Sequence, residues 1–248
     1  MHIESVTGIT LTDTNYSESS KIMNVLTKEH GLIGIMSKGC RKIKSKLRGV
    51  SRKMLYGKFY IYYKEGGLST LISVDVINDF NNILKDLDKI TYASYILELT
   101  NQVVKESTNH EEIFNILSSS LTKINDGFDS LTITLSVELK YLDFLGVSPN
   151  LSSCSICGST DNILTLSVEG GGLICSSCYQ EGLIVKPITI KLARMLYLVD
   201  ISKISKIDVS KENLKELNNF ISEYYDKYTG IYLKSKKMIE KITTFVEN

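Results

Sequence analysis

The 248-residue chain is long enough to form one large domain or two modest ones with a substantial core. Its 43% hydrophobic and 23% charged residues are typical of a globular protein, and its net charge is only +1. Because no apolar run approaches the roughly 20 residues of a spanning helix, and the start MHIESVTGITLTD has no apolar signal-peptide core, we expect a cytoplasmic protein with no membrane partner.

The first 80 residues predict a small β-barrel. Stretches with strand-like alternation follow one another, separated by turn residues, at residues 8–14, 22–27, 31–37, 54–64 and 68–77. The last two flank the turn Glu65-Gly66-Gly67 and predict a hairpin. Short strands at this spacing fit a closed barrel of the OB type, although SH3-like barrels give a similar pattern.

A strongly basic stretch interrupts these strands. Residues 1–80 carry 12 Lys/Arg and 7 Asp/Glu, whereas residues 81–248 carry 17 and 21. Most of the excess lies in residues 38–53, here called the basic segment, which hold eight cations and no acid. The candidate nucleic-acid ligands are Lys38, Arg41, Lys42, Lys44, Lys46 and Arg48. An exposed connection of this kind fits a phosphate backbone, although a solvated loop is the simpler alternative.

Aromatic residues follow the basic segment. Strand alternation places Tyr56, Tyr60 and Tyr62 on one face and Phe59 and Tyr63 on the other. Since one face must fill the barrel core, at most some of these rings are free to stack on bases.

Helical periodicity begins near residue 79. Apolar positions between residues 80 and 104 predict one long helix. Further helices are expected at residues 111–124 and 131–145, after Pro187, at 214–228 and at 232–245. Ser210 is the expected N-cap of the helix that Gly230 ends.

The sequence therefore predicts an α+β protein. An N-terminal OB-type β-barrel for nucleic acid, residues 1–80, is followed by an α-helical domain, residues 81–248, with an inserted four-cysteine zinc clip. The clip occupies residues 150–185 and is called the cysteine clip below.

The cysteine clip reads C-x2-C, a 17-residue interval, then C-x2-C. Its four thiols, Cys154, Cys157, Cys175 and Cys178, suit tetrahedral Zn²⁺, whereas a redox dithiol needs only one such pair. Because four thiolates fill the coordination shell and leave no position for water, the predicted zinc is structural. The lone Cys40 is expected to be an ordinary thiol.

These features, taken in order, resemble the bacterial RecO family of DNA repair proteins over essentially the whole chain. The segments that carry the resemblance are GLIGIMSKGCRKIKSKLRG, YASYILEL, YLDFLGVSPNLSSCSICG, GGLICSSC and GIYLKSKKMIEKI. The resemblance implies a recombination mediator that is not an enzyme. Such a protein binds single- and double-stranded DNA, anneals complementary strands, and works with RecR and the single-stranded DNA-binding protein to load RecA.

The resemblance maps the family's DNA-contacting region onto the six cations named above and its zinc ligands onto the four cysteines. It also implies a nucleoid-associated protein. Lys234, Lys236 and Lys237 near the end of the chain are a possible extension of the DNA path, with a solvated helix face as the alternative.

Three other functions compete with this interpretation. A zinc-ribbon regulator or RNA-binding protein with an OB barrel would prefer RNA and anneal no strands. A scaffold would use the basic segment to bind an acidic protein tail. A metal-dependent enzyme is disfavoured by the filled zinc shell and by the lack of an acid–base cluster.

Overall fold

The structure, a computed structural model, describes residues 2–205, 209–236 and 238–239. Its described residues pack as two compact units. One runs to Gly127 and includes the described residues after Lys234, and the other lies within Phe128–Lys234. The first unit contains helices as well as the barrel, so the domain boundary proposed at residue 80 stays a prediction.

Five strands form the predicted barrel. They are β1 (His2–Tyr16), β2 (Ser20–Thr27), β3 (Gly31–Ser37), β4 (Tyr56–Tyr63) and β5 (Ser69–Asn78). The barrel is closed in the order β1-β2-β3-β5-β4, with β3 and β5 parallel and the other pairs antiparallel. The predicted α+β class with an N-terminal OB-like barrel is confirmed.

One long strand closes the barrel. Strand β1 pairs with β4 from His2 to Ile9 and with β2 from Gly8 to Tyr16. At the overlap Gly8 lies opposite Gly57 of β4. A Cβ at Gly8 would lie 2.6 Å from Val25 Cγ1, and one at Gly57 would lie 2.8 Å from the Asp75 carbonyl oxygen. The strands approach this closely only because both positions lack a side chain.

Alternating residues fill the barrel. The buried cluster draws on every strand: Val6, Met23, Val25, Ile35, Leu55, Phe59, Ile61 and Leu71. Tyr63 packs against it from the same face of β4, while Tyr56, Tyr60 and Tyr62 alternate away. The predicted division of the aromatic residues between two faces is therefore confirmed.

The first unit also contains the helices α1 (Asn81–Leu84), α2 (Leu87–Glu106) and α3 (His110–Asn125). The single long helix predicted from residue 80 is wrong. Asp86 takes an extended conformation and accepts a hydrogen bond from the Lys89 N–H, so it caps a new helix. Apolar residues keep a helical spacing across this break, so the periodicity of the sequence did not reveal it. Helix α2 contacts β1, and α3 contacts β2 and β3.

The second unit combines helices with a short hairpin. Its elements are α4 (Ser130–Phe144), β6 (Ile163–Ser167), β7 (Gly172–Cys175), α5 (Pro187–Leu198), a 3-10 turn (Ile201–Lys203) and α6 (Lys211–Tyr228). Helix α4 packs against both α5 and α6, and its buried positions include most of its length.

The predicted helix signals in this unit are confirmed. Pro187 is at the start of α5, and Ser210 caps α6 by accepting a hydrogen bond from the Asn213 N–H. Gly230 takes a φ of 63° just past α6. The helix predicted at 232–245 lies partly outside the described residues. Among those described, no helix is long and apolar enough to cross a membrane.

The glycine contact at the barrel overlap gives a test of the fold. Gly57→Ala adds a Cβ 2.6 Å from Val74 Cγ1 and 2.8 Å from the Asp75 carbonyl oxygen. Since overpacking of this kind costs about 1–3 kcal/mol, we expect the free energy of unfolding to fall by that amount. Urea denaturation measures it. Gly49→Ala is the control, because nothing lies within 4 Å of its Cβ; equal stability of both variants would contradict the packing argument.

Candidate nucleic-acid interface and metal site

The basic segment connects β3 to β4 across the barrel. Hydrogen bonds hold it at both ends. At its start, the Gly39 N–H donates to Ser20 Oγ of β2 (3.1 Å) and the Arg41 N–H donates to the Ser19 carbonyl of the β1–β2 turn (2.8 Å). At its end, the Lys53 N–H donates to Asp13 Oδ1 of β1 (3.2 Å), and the Ser51 hydroxyl bonds with the Ser37 hydroxyl of β3 (2.7 Å). Cys40 is only 2% exposed, and Leu47 and Val50 pack against the barrel core.

Three consecutive turns shape the middle of the basic segment. The Lys42 N–H donates to the Gly39 carbonyl, the Ser45 N–H to the Lys42 carbonyl, and the Arg48 N–H to the Ser45 carbonyl, at 3.1–3.2 Å. These local bonds satisfy backbone groups that have no strand partner. The segment is therefore folded, with Cys40, Leu47 and Val50 inward and six of its cations outward.

All six predicted ligands are exposed. Lys38, Arg41, Lys42, Lys44, Lys46 and Arg48 extend into solvent. None of them forms an ion pair with any described residue; the Arg41 guanidinium donates from Nη1 to the Ser17 carbonyl, at 3.3 Å. Uncompensated cations on a preformed surface are available to bind phosphates.

The other two cations of the segment have structural contacts. Arg52 is half-buried and donates from Nη2 to the Asp79 carbonyl at 2.9 Å. Burial lowers the pKa of Lys53, an effect that Glu98 and Asp13 partly oppose. Both differ from the six predicted ligands, which are exposed.

The outer face of β4 carries two accessible rings. Tyr62 is 44% exposed, and Tyr60 is half-buried with its hydroxyl donating to Asp75 Oδ2 at 2.9 Å. That hydrogen bond raises the pKa of Tyr60. Tyr56 is unavailable because its ring packs edge-on against Phe114, with centroids 5.9 Å apart. Tyr60 and Tyr62 are thus the tyrosines of β4 able to meet a base.

One residue of the basic segment was not singled out by the sequence pattern. Ile43 lies between Lys42 and Lys44 and is 87% exposed, the highest fraction among the large hydrophobic residues that the structure describes. Its position among lysines is visible in the sequence, but its exposure depends on the turns described above.

The structure brings the four predicted metal ligands together. The sulphur atoms of Cys154, Cys157, Cys175 and Cys178 all lie within 4.8 Å of one another. Tetrahedral zinc with bonds of about 2.3 Å separates its sulphur ligands by about 3.8 Å. The Sγ atoms of Cys157 and Cys175 are 3.7 Å apart, so the cluster fits zinc binding.

Local backbone bonds form each half of the site. The Gly158 N–H donates to the Cys154 carbonyl at 2.9 Å, and the Cys178 N–H donates to the Cys175 carbonyl at 3.1 Å. The unpredicted β6–β7 hairpin joins the halves. Gly172, at the start of β7, lies very close to Asn150. A Cβ on Gly172, where φ is 143°, would lie 2.3 Å from the Asn150 carbonyl oxygen, so this contact requires glycine.

Two of the four thiols, Cys154 and Cys178, have shifted pKa values. Hydrogen bonds from the backbone of Cys157 and Cys175 lower the pKa of Cys154 to about 6. Hydrogen bonding of Cys178 to the sulphurs of Cys157 and Cys175 raises its pKa to about 12. Four sulphurs this close cannot all carry negative charge unless a cation neutralises them.

The cysteine clip is attached to the helices of its own unit. Arg194 of α5 donates from Nε to the Leu151 carbonyl at 2.7 Å and from Nη2 to the Ser152 carbonyl at 3.2 Å. The Tyr228 hydroxyl of α6 donates to the Val168 carbonyl at 2.8 Å. The cysteine cluster therefore lies on a segment that contacts both helices.

The surface of the second unit includes an acidic groove. A groove of about 540 Å³ is lined by five carboxylates, Glu169, Glu181, Glu216, Glu223 and Asp226, with Lys227 among them. Such a groove repels a polyanion. Of the three lysines near the C-terminus, Lys234 is exposed, Lys236 is half-buried and Lys237 lies outside the described residues.

The comparison with known proteins agrees with this architecture. Residues 1–80 match the family model "Recombination protein O N terminal", and residues 84–237 match "Recombination protein O C terminal". The DNA repair protein RecO of Bacillus subtilis (strain 168) is 36% identical over 238 residues, covering 95% of this chain and 93% of the relative. That of Listeria monocytogenes serotype 4b (strain CLIP80459) is 32% identical over 243 residues, covering 97% and 95%. The chain belongs to the recombination protein O (RecO) family.

Proposed function

We propose that this chain is a recombination mediator in DNA repair that binds single- and double-stranded DNA and anneals complementary strands. The observation that carries the proposal is the presence of six exposed cations, without an ion pair to any described residue, on a connection fixed to an OB-type barrel. Membership of a family whose relatives are named DNA repair proteins supports the same function.

The proposed mechanism is electrostatic. Two complementary strands repel each other through their phosphates, and a basic surface lowers that repulsion by neutralising charge. Contact with about five phosphates of single strands corresponds to a log–log salt slope near −3.5. The work needs no nucleotide hydrolysis, and the family role that we propose is non-catalytic. Tyr60 and Tyr62 would add stacking with little preference for sequence.

The proposed partners follow from the family role. We place the protein in the bacterial cytoplasm, at the nucleoid, where with RecR it helps RecA load onto strands coated by the single-stranded DNA-binding protein.

We also propose that the cysteine clip holds one structural Zn²⁺ through Cys154, Cys157, Cys175 and Cys178. The crowding of four sulphurs supports this ligand set. With four thiolates the shell has no open position, so the ion would stabilise the fold and take no part in a reaction.

An OB-fold RNA-binding or regulatory protein with a zinc ribbon is the second candidate. The same exposed cations and tyrosines would serve it, because RNA also presents phosphates and stackable bases. It differs in its expected preference for RNA and in the absence of strand annealing.

Metal removal tests the zinc proposal. We expect one zinc per chain by elemental analysis, lost in the double variant Cys154→Ser/Cys157→Ser. Since structural zinc contributes about 10–16 kcal/mol in small peptides, chelation should lower the melting temperature sharply and expose residues 150–185 to protease.

Cys40→Ser is the matched control, because it removes a thiol outside the cluster and should keep one zinc per chain. DNA binding should survive chelation, since the basic segment belongs to the other compact unit. Full zinc content in the double variant would exclude this ligand set.

Charge removal tests the DNA surface. The variant Arg41→Ala/Lys42→Ala/Lys44→Ala/Lys46→Ala should anneal labelled complementary oligonucleotides much more slowly than the unaltered chain. Because each lost single-strand phosphate contact changes the salt slope by about 0.7, the slope should become shallower by about 3. Binding isotherms across a salt series measure this change, and the four positions are exposed, so the fold should be retained.

A second quadruple variant controls for net charge. It replaces four exposed lysines elsewhere with alanine: Lys105, Lys191, Lys203 and Lys211. Annealing and slope should be unaltered in this control. Equal losses in both variants would reduce the effect to net charge, and tighter binding to RNA without annealing would favour the second candidate.

A further inference from the structure

We infer that Ile43 is an apolar wedge that the basic segment inserts between neighbouring bases of DNA. The inference rests on the proposed function and deepens it, because it names a further residue that contacts bases besides Tyr60 and Tyr62. Ile43 is 87% exposed, whereas the other large hydrophobic residues of the basic segment face the barrel.

The local fold makes this exposure a fixed feature. Ile43 occupies a central position of the turn that the Ser45 N–H closes on the Lys42 carbonyl at 3.1 Å. On its two sides, Cys40 is buried and Leu47 packs against the barrel core. The segment is thus held close to the barrel before and after Ile43, and the side chain cannot reach the core without breaking these contacts.

The surroundings of Ile43 favour a nucleic acid as its occupant. Lys42 and Lys44 flank it, and Arg41 and Lys46 lie beyond them, all exposed and free of ion pairs with described residues. Phosphates bound to these cations would bring the bases of the same strand to the apex of the turn. Isoleucine is among the side chains that proteins insert between base steps, where they partly unstack the bases.

An apolar residue among cations would also promote annealing. Partly unstacked bases present their pairing edges, and single strands lose less stacking than a duplex when a side chain enters. A wedge at this position therefore favours strands that are still unpaired.

A stacking reporter tests the inference. The full chain is titrated into a single-stranded oligonucleotide that carries one 2-aminopurine, whose fluorescence rises when its neighbours unstack. We expect a clear rise with the unaltered chain and little with Ile43→Ser at saturating protein. The affinity of Ile43→Ser should fall about fivefold, the loss expected when one aliphatic contact is removed and the cost of unstacking is regained. The salt slope should not change, because no charge is removed.

Leu198→Ser is the matched control, since Leu198 is 77% exposed and belongs to the other unit. It should behave like the unaltered chain. Ile43→Trp adds a second readout: the chain has no tryptophan, so the new residue is a unique fluorophore, and stacking against bases should quench it.

The outcomes separate this inference from the proposed function. If the basic quadruple variant loses binding but Ile43→Ser gives the full 2-aminopurine signal and affinity, the wedge is refuted and the DNA surface stands. Unquenched tryptophan fluorescence from the DNA-bound Ile43→Trp variant would also refute the wedge. If the unaltered chain itself binds no DNA, the proposed function is refuted, and the wedge is refuted with it.

Discussion

The fold depends on the closure of the barrel by one strand that serves two neighbours. Strand β1 pairs with β4 along its first half and with β2 along its second half, and the change of partner occurs where Gly8 faces Gly57. Because closure places β5 between β3 and β4, the chain must cross the barrel to pass from β3 to β4. The basic segment makes this crossing. Leu47 and Val50 of the segment pack on the barrel core, and six of its cations therefore face the solvent. The position of the charge is thus a consequence of strand order.

Repulsion among the cations of the basic segment destabilises its folded form, and the hydrogen bonds that hold the segment limit this destabilisation. Like charges within one Debye length, about 10 Å at 0.1 M salt, repel one another and favour an unfolded connection. The hydrogen bonds from the segment to Ser19, Ser20 and Asp13 oppose that tendency. Asp13 also pairs with Lys21 beneath the segment, so the nearby acid is engaged inside the structure and does not neutralise the exposed cations. Phosphates that bind the exposed cations would relieve this repulsion. The groups that hold the segment in its fold are thus different from the groups proposed to bind phosphate.

The sequence predicted what depends on short-range pattern. Strand alternation located the five strands, and capping residues such as Ser210 located helix ends, because these signals involve neighbouring residues. The length of β1 was underpredicted, since its first half is a strand by virtue of pairing with β4, which follows some 50 residues later in the chain. The break at Asp86 was missed because apolar spacing continues through it. The cysteine cluster could be predicted from spacing alone, but the hairpin that joins its halves could not. For the proposed DNA surface, charge was evident, whereas the inward direction of Cys40 and Leu47 and the outward direction of Ile43 depend on the barrel.

Charge and apolar contact would act at different stages of annealing. Electrostatic attraction is long-ranged and does not depend on base identity, so it gathers strands but holds single strands and duplex alike. A surface made only of lysines would therefore retain its product. Contact between a base step and an apolar side chain is short-ranged and requires that the bases separate, which a stacked duplex resists by a few kcal/mol per step. With Ile43 among the cations, the proposed surface would gain affinity from unpaired strands and lose it when they pair. Release of the duplex would then follow from annealing itself, and the proposed mediator would need no nucleotide hydrolysis for turnover.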